Sequence, residues 1–342
     1  MRPRSLLLAA VLVLAAACSS TPPATAPSAA PSAAPASPAF PVSVEHEFGT
    51  TTVPAAPQRV VSAGYTEQDT LLALGVTPVA VTDWYGDQPY ATWPWAKDEL
   101  GPATPTVLTA KDGPDYEKIA AQRPDLIVAT NAGLDRGQYD RLAAIAPTVA
   151  QPAGGSAWFA PWDAQARLIG AAVGEPDEAD ALVDGIKKRF ADTAAAHPAF
   201  RGTPAIFLQA PYYDGSAIAY QDGLSTEFLT DLGFTVPAEI DRFAPEGDSS
   251  QAYIPIENLG VLNAGKVLVW ATEDASARTE LEAQPLYRTL TPVQNGNLVF
   301  TDATLAGAIY FSSPLSLPYV LDHLVPLLDA AVAGNPETKP AA

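Results

Sequence analysis

The strongest constraint on this chain is a unit that occurs twice. "DYEKIAAQRPDLIVATNAG" runs from Asp115 to Gly133, and "IPIENLGVLNAGKVLVWATED" runs from Ile254 to Asp274. Each reads as a short helix, a Pro or Gly break, an apolar strand and a polar loop. Each carries a glutamate near its start, Glu117 and Glu257. A strand that is apolar throughout belongs in a parallel sheet covered on both faces, with helical crossovers between strands. The flanking sequence keeps this rhythm. "RVVSAG" (59–64), "TPVAVTDW" (77–84) and "TVAQ" read as strands, with helices over "TEQDTLLALG" (66–75), capped by Thr66, and "QYDRLAAIA" (138–146). Farther on, "PAIFLQA" (204–210) is a strand and "STEFLTDLG" (225–233) a helix, while "LYRTLTPVQNGNLVF" (286–300) echoes "QYDRLAAIAPTVA". Correspondences in one order imply duplicated α/β lobes.

Between the lobes lies "EPDEADALVDGIKKRFADTAAAHPAF" (175–200). Its acids come first and its bases later, which suits the helix dipole, and Leu182, Val183, Ile186 and Phe190 share one face. About 20 helical residues span roughly 30 Å. The predicted fold is therefore α/β, with two doubly wound lobes, a central ligand cleft and a single long helix joining them. One rigid helix permits only modest lobe closure. The expected boundaries are an N-terminal lobe over 45–160, a connecting helical segment over 161–200 and a C-terminal lobe over 201–334. The last lobe ends in an amphipathic helix (315–334) that Pro326 is expected to kink or break, followed by a disordered tail, 335–342.

The N-terminus has the layout of a signal peptide, 1–18. Arg2 and Arg4 precede an apolar run, Leu6 to Ala17, that is too short to span a bilayer. The run ends at Cys18, the only cysteine. "LAAAC" resembles a bacterial lipobox, whose cysteine is lipidated, although Ala15 stands where leucine is commonest; a plain secretory signal remains the alternative. Residues 19–44 form a Pro/Ala/Ser-rich stretch that suits a tether, since it buries too little to offset its ordering entropy. With one cysteine, the chain contains no internal disulfide.

Composition removes some functions. A net charge of −19, from 38 acids against 19 bases, argues against nucleic acid. Three histidines (His46, His197, His323) and one cysteine are too few and too scattered for a metal cage. No G-x-S-x-G is present, which weakens a secreted-hydrolase reading without excluding a triad assembled in space. An adhesive or scaffold protein is the third reading, and it predicts no well-formed aromatic cleft.

Cysteine, tether, two α/β lobes and connecting helix together resemble the substrate-binding lipoproteins of ABC importers for iron-siderophores and vitamin B12. "QRVVSAGYTEQDTLLALGVTPVAVTD", "YEKIAAQRPDLIVATNAG" and "YDRLAAIAPTV" look most like the ferric-siderophore members, and the likeness extends over about 45–333. The resemblance implies a monomeric receptor, lipid-anchored to the outer face of the cytoplasmic membrane, that passes a ferric siderophore to a permease dimer. Haem- or cobalamin-binding receptors of the same architecture stay open, and no enzymatic activity is implied. It also implies that an acid on the top of each lobe docks onto permease arginines; the matching positions are Glu117 and Glu257. A two-fold partner presents two equivalent sites, so a duplicated acid answers it. The plainer reading is that both are solvent-facing helix residues.

Ligands in such folds sit between the lobes at the carboxyl ends of the strands. The residues expected there are Tyr65, Trp84, Tyr85, Trp93, Trp95, Asn131, Arg136, Trp158, Phe159 and Trp162 from the first half. The second half offers Gln209, Tyr212, Tyr213, Arg242, Phe243, Trp270, Thr304, Tyr310 and Phe311. Broad aromatic faces with polar handles suit a bulky, oxygen-rich chelate. The siderophore supplies the iron's donors itself, so no cofactor and no protein metal ligand is expected. With only Arg136 and Arg242 available for an anionic catecholate, the balance leans towards a hydroxamate, mixed or lipophilic siderophore.

Overall fold

The computed structural model describes residues 40–338 apart from 112, 156 and 247–249, with only the backbone at 275. The expected signal peptide, Cys18 and most of the 19–44 tether lie outside the described residues. An antiparallel hairpin comes first, β1 (Val42–His46) and β2 (Gly49–Val53). Strand β1 thus takes in Val42, Ser43 and Val44, ahead of Glu45, where the globular region was expected to start. The hairpin buries Val44 and Val53 beside Val60 and Ile169, and Thr51 donates to the Thr148 carbonyl at 2.6 Å.

The N-terminal lobe follows in strict alternation. Its elements are β3 (Val60–Ser62), α1 (Glu67–Ala73), β4 (Ala80–Thr82), α2 (Lys97–Leu100), β5 (Thr106–Leu108), α3 (Tyr116–Ala121), β6 (Leu126–Ala129), α4 (Arg136–Ala143) and β7 (Thr148–Ala150). All five strands run parallel in the order β5-β4-β3-β6-β7. Successive strand residues feed opposite faces. Val61, Ile127 and Ala129 meet Ile119 and Leu142 on one side; Val60, Leu126 and Val128 meet Leu71 and Ile169 on the other. Aspartates start the helices: Asp115 accepts from the Lys118 amide, and Asp135 forms a capping box with Gln138.

The expected connecting helix is α6 (Pro176–Ala196), but it does not stand alone. It packs back on α5 (Trp162–Val173), the turn between them taken at Gly174. Ile169, Ala172 and Val173 of α5 join the N-terminal core, while Ile186 and Phe190 of α6 join the C-terminal core. Each lobe therefore holds one arm of a helical pair.

The C-terminal lobe comprises β8 (Ala205–Tyr213), β9 (Ser216–Tyr220), α7 (Glu227–Thr230), β10 (Gln251–Pro255), β11 (Val267–Ala271), α8 (Ala275–Ala283), α9 (Thr291–Asn295), β12 (Leu298–Phe300), α10 (Ala303–Phe311) and α11 (Ser316–Ala333). Its order, β10-β9-β8-β11-β12, matches the first sheet position for position. The duplication is imperfect, because β9 runs antiparallel to both β8 and β10. Asp214 and Gly215 turn the β8–β9 hairpin with φ of 46° and 74°, the two-residue turn with both central φ positive that matches strand twist. The helix expected over 225–233 shrinks to a 3-10 turn, Leu224–Thr226, and α7, and "IENLGVLNA" is a 3-10 helix, Ile256–Ala264. Helix α11 continues through Pro326. The tail expected to be disordered from 335 is held as far as Thr338, where Asn335 N–H and Thr338 Oγ1 both donate to the Gly296 carbonyl.

Candidate functional site

In each sheet the chain builds outward from a central strand, then jumps back across it. The reversals fall between β3 and β6 and between β8 and β11, and a crevice opens at such points. Here the two crevices face one cavity of about 850 Å³.

The N-terminal wall is aromatic. Tyr65, three residues past β3, is stacked between Trp84 (5.5 Å, 14°) and Trp158 (5.1 Å, 16°). Trp84 also meets Tyr85 edge-on at 4.8 Å and Phe159 at 5.3 Å. Trp158 and Phe159 remain 40% and 41% exposed, and both line the cavity. Their loop is rigidly hung. Asn131 accepts from the Phe159 amide at 2.7 Å and donates to Thr66 Oγ1; Gln165 accepts from Thr130 Oγ1 and donates to the Ala160 carbonyl at 2.6 Å. Gly133, at φ 59°, lies under the Trp158 indole, and a Cβ there would sit 1.9 Å from the ring. Any other residue would push the indole away.

The C-terminal wall brings Phe207 and Gln209 from β8, Tyr220 and Gln221 from the end of β9, Gln251, Glu273 two residues past β11, and Ile309, Tyr310 and Phe311 from the end of α10. Asp302 caps α10 by accepting from the Leu305 amide. The loop carrying Glu273 is pinned on both sides: Thr272 N–H donates to Thr301 Oγ1 at 2.9 Å, and Asp274 accepts from the Ser276 and Ala277 amides. Three acids line the cavity, Asp222, Glu227 and Glu273, and among the described residues no lysine, arginine or histidine does. Burial first, then the charge of Asp274, raises the Glu273 carboxyl above its ordinary range.

Several expected residues lie elsewhere. Trp93 and Trp95 form part of the contact between the lobes, stacked on each other at 5.0 Å and both against Phe311. Tyr65 backs the aromatic wall without lining the cavity. Arg136 sits on the outer face of α4, donating to the Phe48 carbonyl and paired with Asp140. Arg242 covers the Phe243 ring at 4.9 Å, and Phe243 packs into the second core of its lobe. Tyr212 meets Trp270 edge-on, Trp270 is fully buried, and Tyr213 is 67% exposed at the hairpin end. Thr304 lies on the first turn of α10, off the cavity wall. Sequence reasoning missed Tyr220, Asp222, Glu227, Gln251 and Glu273. It gave no weight to acids after strands and did not find β9.

The contact between the lobes includes a buried carboxylate. Asp69 on α1 accepts from Trp95 Nε1 at 2.8 Å and from Ser313 Oγ of the other lobe. Burial pushes its carboxyl up to about 6, against opposing hydrogen bonds from Ser313 and Trp95. Glu67, two residues earlier, takes the Asn131 amide at 2.7 Å, and burial pushes it up to about 7. Gly307 lets the lobes close on Trp93, since a Cβ there would sit 2.7 Å from that ring.

Glu117 and Glu257 are both exposed. Each stands in the first turn of the crossover that enters β6 or β11, the strand beside its lobe's reversal. A crossover begins at the carboxyl ends of the strands, so both acids belong to the edge that carries the cavity. Their settings differ in one respect, α-helix for Glu117 and 3-10 helix for Glu257.

Comparison with known proteins places this geometry. The model of the periplasmic binding protein family matches residues 60–305. The Fe(3+) dicitrate-binding periplasmic protein FecB of Escherichia coli is 29% identical over 273 residues, 78% of this chain and 84% of FecB. The probable siderophore-binding lipoprotein YfiY of Bacillus subtilis is 29% identical over 305 residues, 82% of this chain and 86% of YfiY. A periplasmic solute-binding protein from Mycobacterium smegmatis, known by crystal structure, superposes with a TM-score of 0.80 at 46% identity, covering 85% of this chain and 98% of that one.

Proposed function

The chain belongs to the periplasmic binding protein family, and on that footing we propose that it is the extracytoplasmic substrate-binding component of an ABC importer, capturing a ferric siderophore between its lobes. The single observation that carries this reading is the cavity itself. Some 850 Å³, walled by Trp84, Trp158, Phe159, Phe207 and Tyr310, is the size and chemistry for a bulky chelate. Among the described residues no group of three His, Cys, Asp or Glu is placed to hold a metal ion, so the iron would arrive with its own oxygen donors. Two relatives bear names of ferric-chelate binders, which supports the same class of ligand.

Cys18 would anchor the receptor, and among the described residues no helix is long and apolar enough to cross a membrane. Glu117 and Glu257 would dock on paired arginines of a permease dimer, and the receptor would act as a monomer binding stoichiometrically without turnover. Titrating tryptophan fluorescence with a ferric hydroxamate, a ferric catecholate, haem and cobalamin tests the ligand class. Saturable quenching by a ferric siderophore at submicromolar concentration is expected; quenching by haem or cobalamin alone, or by none of the four, overturns it. For docking, reversing both charges (Glu117→Arg with Glu257→Arg) should abolish uptake and leave affinity intact. A loss of affinity instead would assign these residues to folding or to the pocket.

A further inference from the structure

The charge of the cavity wall narrows the ligand further. Building on the siderophore reading above, we propose that the cargo is a ferric chelate of zero or positive net charge whose cationic arm is held by Glu273. Three carboxylates line the cavity and, among the described residues, no cation does. Residues 112, 156 and 247–249 are Asp, Ser, Gly, Asp and Ser in the sequence, so none of them carries a positive charge either. A ferric catecholate or citrate complex brought against this wall would bury anionic charge with no partner, which is costly. The arginines that would have answered it are committed elsewhere, Arg136 to Phe48 and Asp140, Arg242 over Phe243.

Glu273 is the acid best placed to recognise a cation. It stands beyond the end of β11, on a loop pinned by Thr272 and Asp274, and lines the cavity together with Tyr85 of the first lobe and Tyr220 and Tyr310 of the second. After burial, its negative charge is among the influences that raise the pKa of the Tyr85, Tyr220 and Tyr310 hydroxyls. The Tyr85 hydroxyl is shut off from solvent and has no hydrogen-bond partner among the described residues; a buried donor of that kind calls for a missing partner. Glu227 feels burial first, then the acids Asp231 and Asp163, and differs from Glu273 in that a cation, Lys187, also acts on it; Lys187 is itself bonded to Asp163. The charge that acts on Glu273 is another acid, Asp274. A carboxylate that shares a cavity with aromatic side chains can hold an ammonium by a charge-assisted hydrogen bond, with cation–π attraction from the rings.

The test uses the full-length chain in detergent and one iron core at three charges. The ligands are a linear ferric tris-hydroxamate with a free primary amine, its N-acetyl derivative and its N-succinyl derivative, with a ferric tris-catecholate alongside. Affinity should fall from the ammonium form to the acetyl form about tenfold, and further to the succinyl form. Glu273→Gln should bring the ammonium and acetyl forms to equal affinity. An anionic chelate that binds as tightly as the ammonium form overturns the proposal and leaves the siderophore reading standing. Equal affinity of the ammonium and acetyl forms for the wild type, or an ammonium preference that survives Glu273→Gln, overturns the role of Glu273. Should none of the four chelates bind, the siderophore reading falls and takes the proposal with it. The wild-type series decides the charge class even if the variant folds poorly.

Discussion

Replacing Asp69 by asparagine should flatten the dependence of stability on pH. Asp69 and Glu67 are buried carboxyls raised from 3.8 to about 6 and from 4.5 to about 7. Both hold their protons more tightly folded than unfolded. Their contribution is fully present below about pH 4, where both states are protonated, and is lost as pH rises through about 6 for Asp69 and about 7 for Glu67. For Asp69 the whole difference corresponds to about 3 kcal/mol, and linkage assigns about 1 kcal/mol of it to the interval between about pH 5 and pH 7. Asp115 and Asp274, held below the usual carboxylate range chiefly by side-chain hydrogen bonds from Lys118 and Ser276, pull the other way but only at lower pH. The substituted amide would keep an acceptor for Trp95 and Ser313 while removing the titration. Urea unfolding at both pH values is the assay, comparing the wild-type loss with that of Asp69→Asn. The wild type should lose about 1 kcal/mol more than the variant. Equal losses would refute the claim that a buried, ionising Asp69 sits in the contact between the lobes.

Other perturbations read other parts of the structure. Trp158→Ala removes one outer ring of the Tyr65 stack and should weaken ligand binding about tenfold or more with unchanged circular dichroism; unchanged affinity in a fluorescence titration would remove Trp158 from the site. Gly307→Val drives a branched side chain into Trp93 and should cost about 1–3 kcal/mol in urea unfolding. A variant as stable as the wild type would mean that the lobes do not close on that ring. Arg136→Ala with Arg242→Ala should leave affinity within about twofold, since neither guanidinium reaches the cavity. A large loss in the same titration would contradict their outward placement.

Much of the architecture was legible because it rests on periodicity. "DLIVAT" and "GKVLVWAT" carry apolar residues without alternation, and both became inner strands, β6 and β11, with every residue buried. The antiparallel β9 was missed although its turn, Asp214–Gly215, is a recognised hairpin signal; the expectation of repeated parallel units overrode it. Site residues obeyed an offset. Tyr65, Trp84, Asn131 and Glu273 all stand two or three residues past a strand end, and the same offset applied to β11 points to Glu273, not to Trp270 inside the strand. Arg136 failed for a different reason, because Asp135 caps α4 immediately and turns the arginine onto the helix exterior. Glu67 and Asp69 look like ordinary first-turn acids in "TEQDTLLALG". Only the approach of the other lobe and of Asn131 buries them, and no local pattern encodes that.

The lobes meet through Asp69, Trp93, Trp95 and Phe311, and are backed by a helical pair with one arm in each core. A carrier joined this firmly has little room to announce its cargo by a change of outline. Loaded and empty molecules would present nearly the same profile to a transporter and would queue for it on almost equal terms. Traffic would then depend on the ratio of the two forms outside the cell, and an excess of empty receptor would act as its own competitive inhibitor.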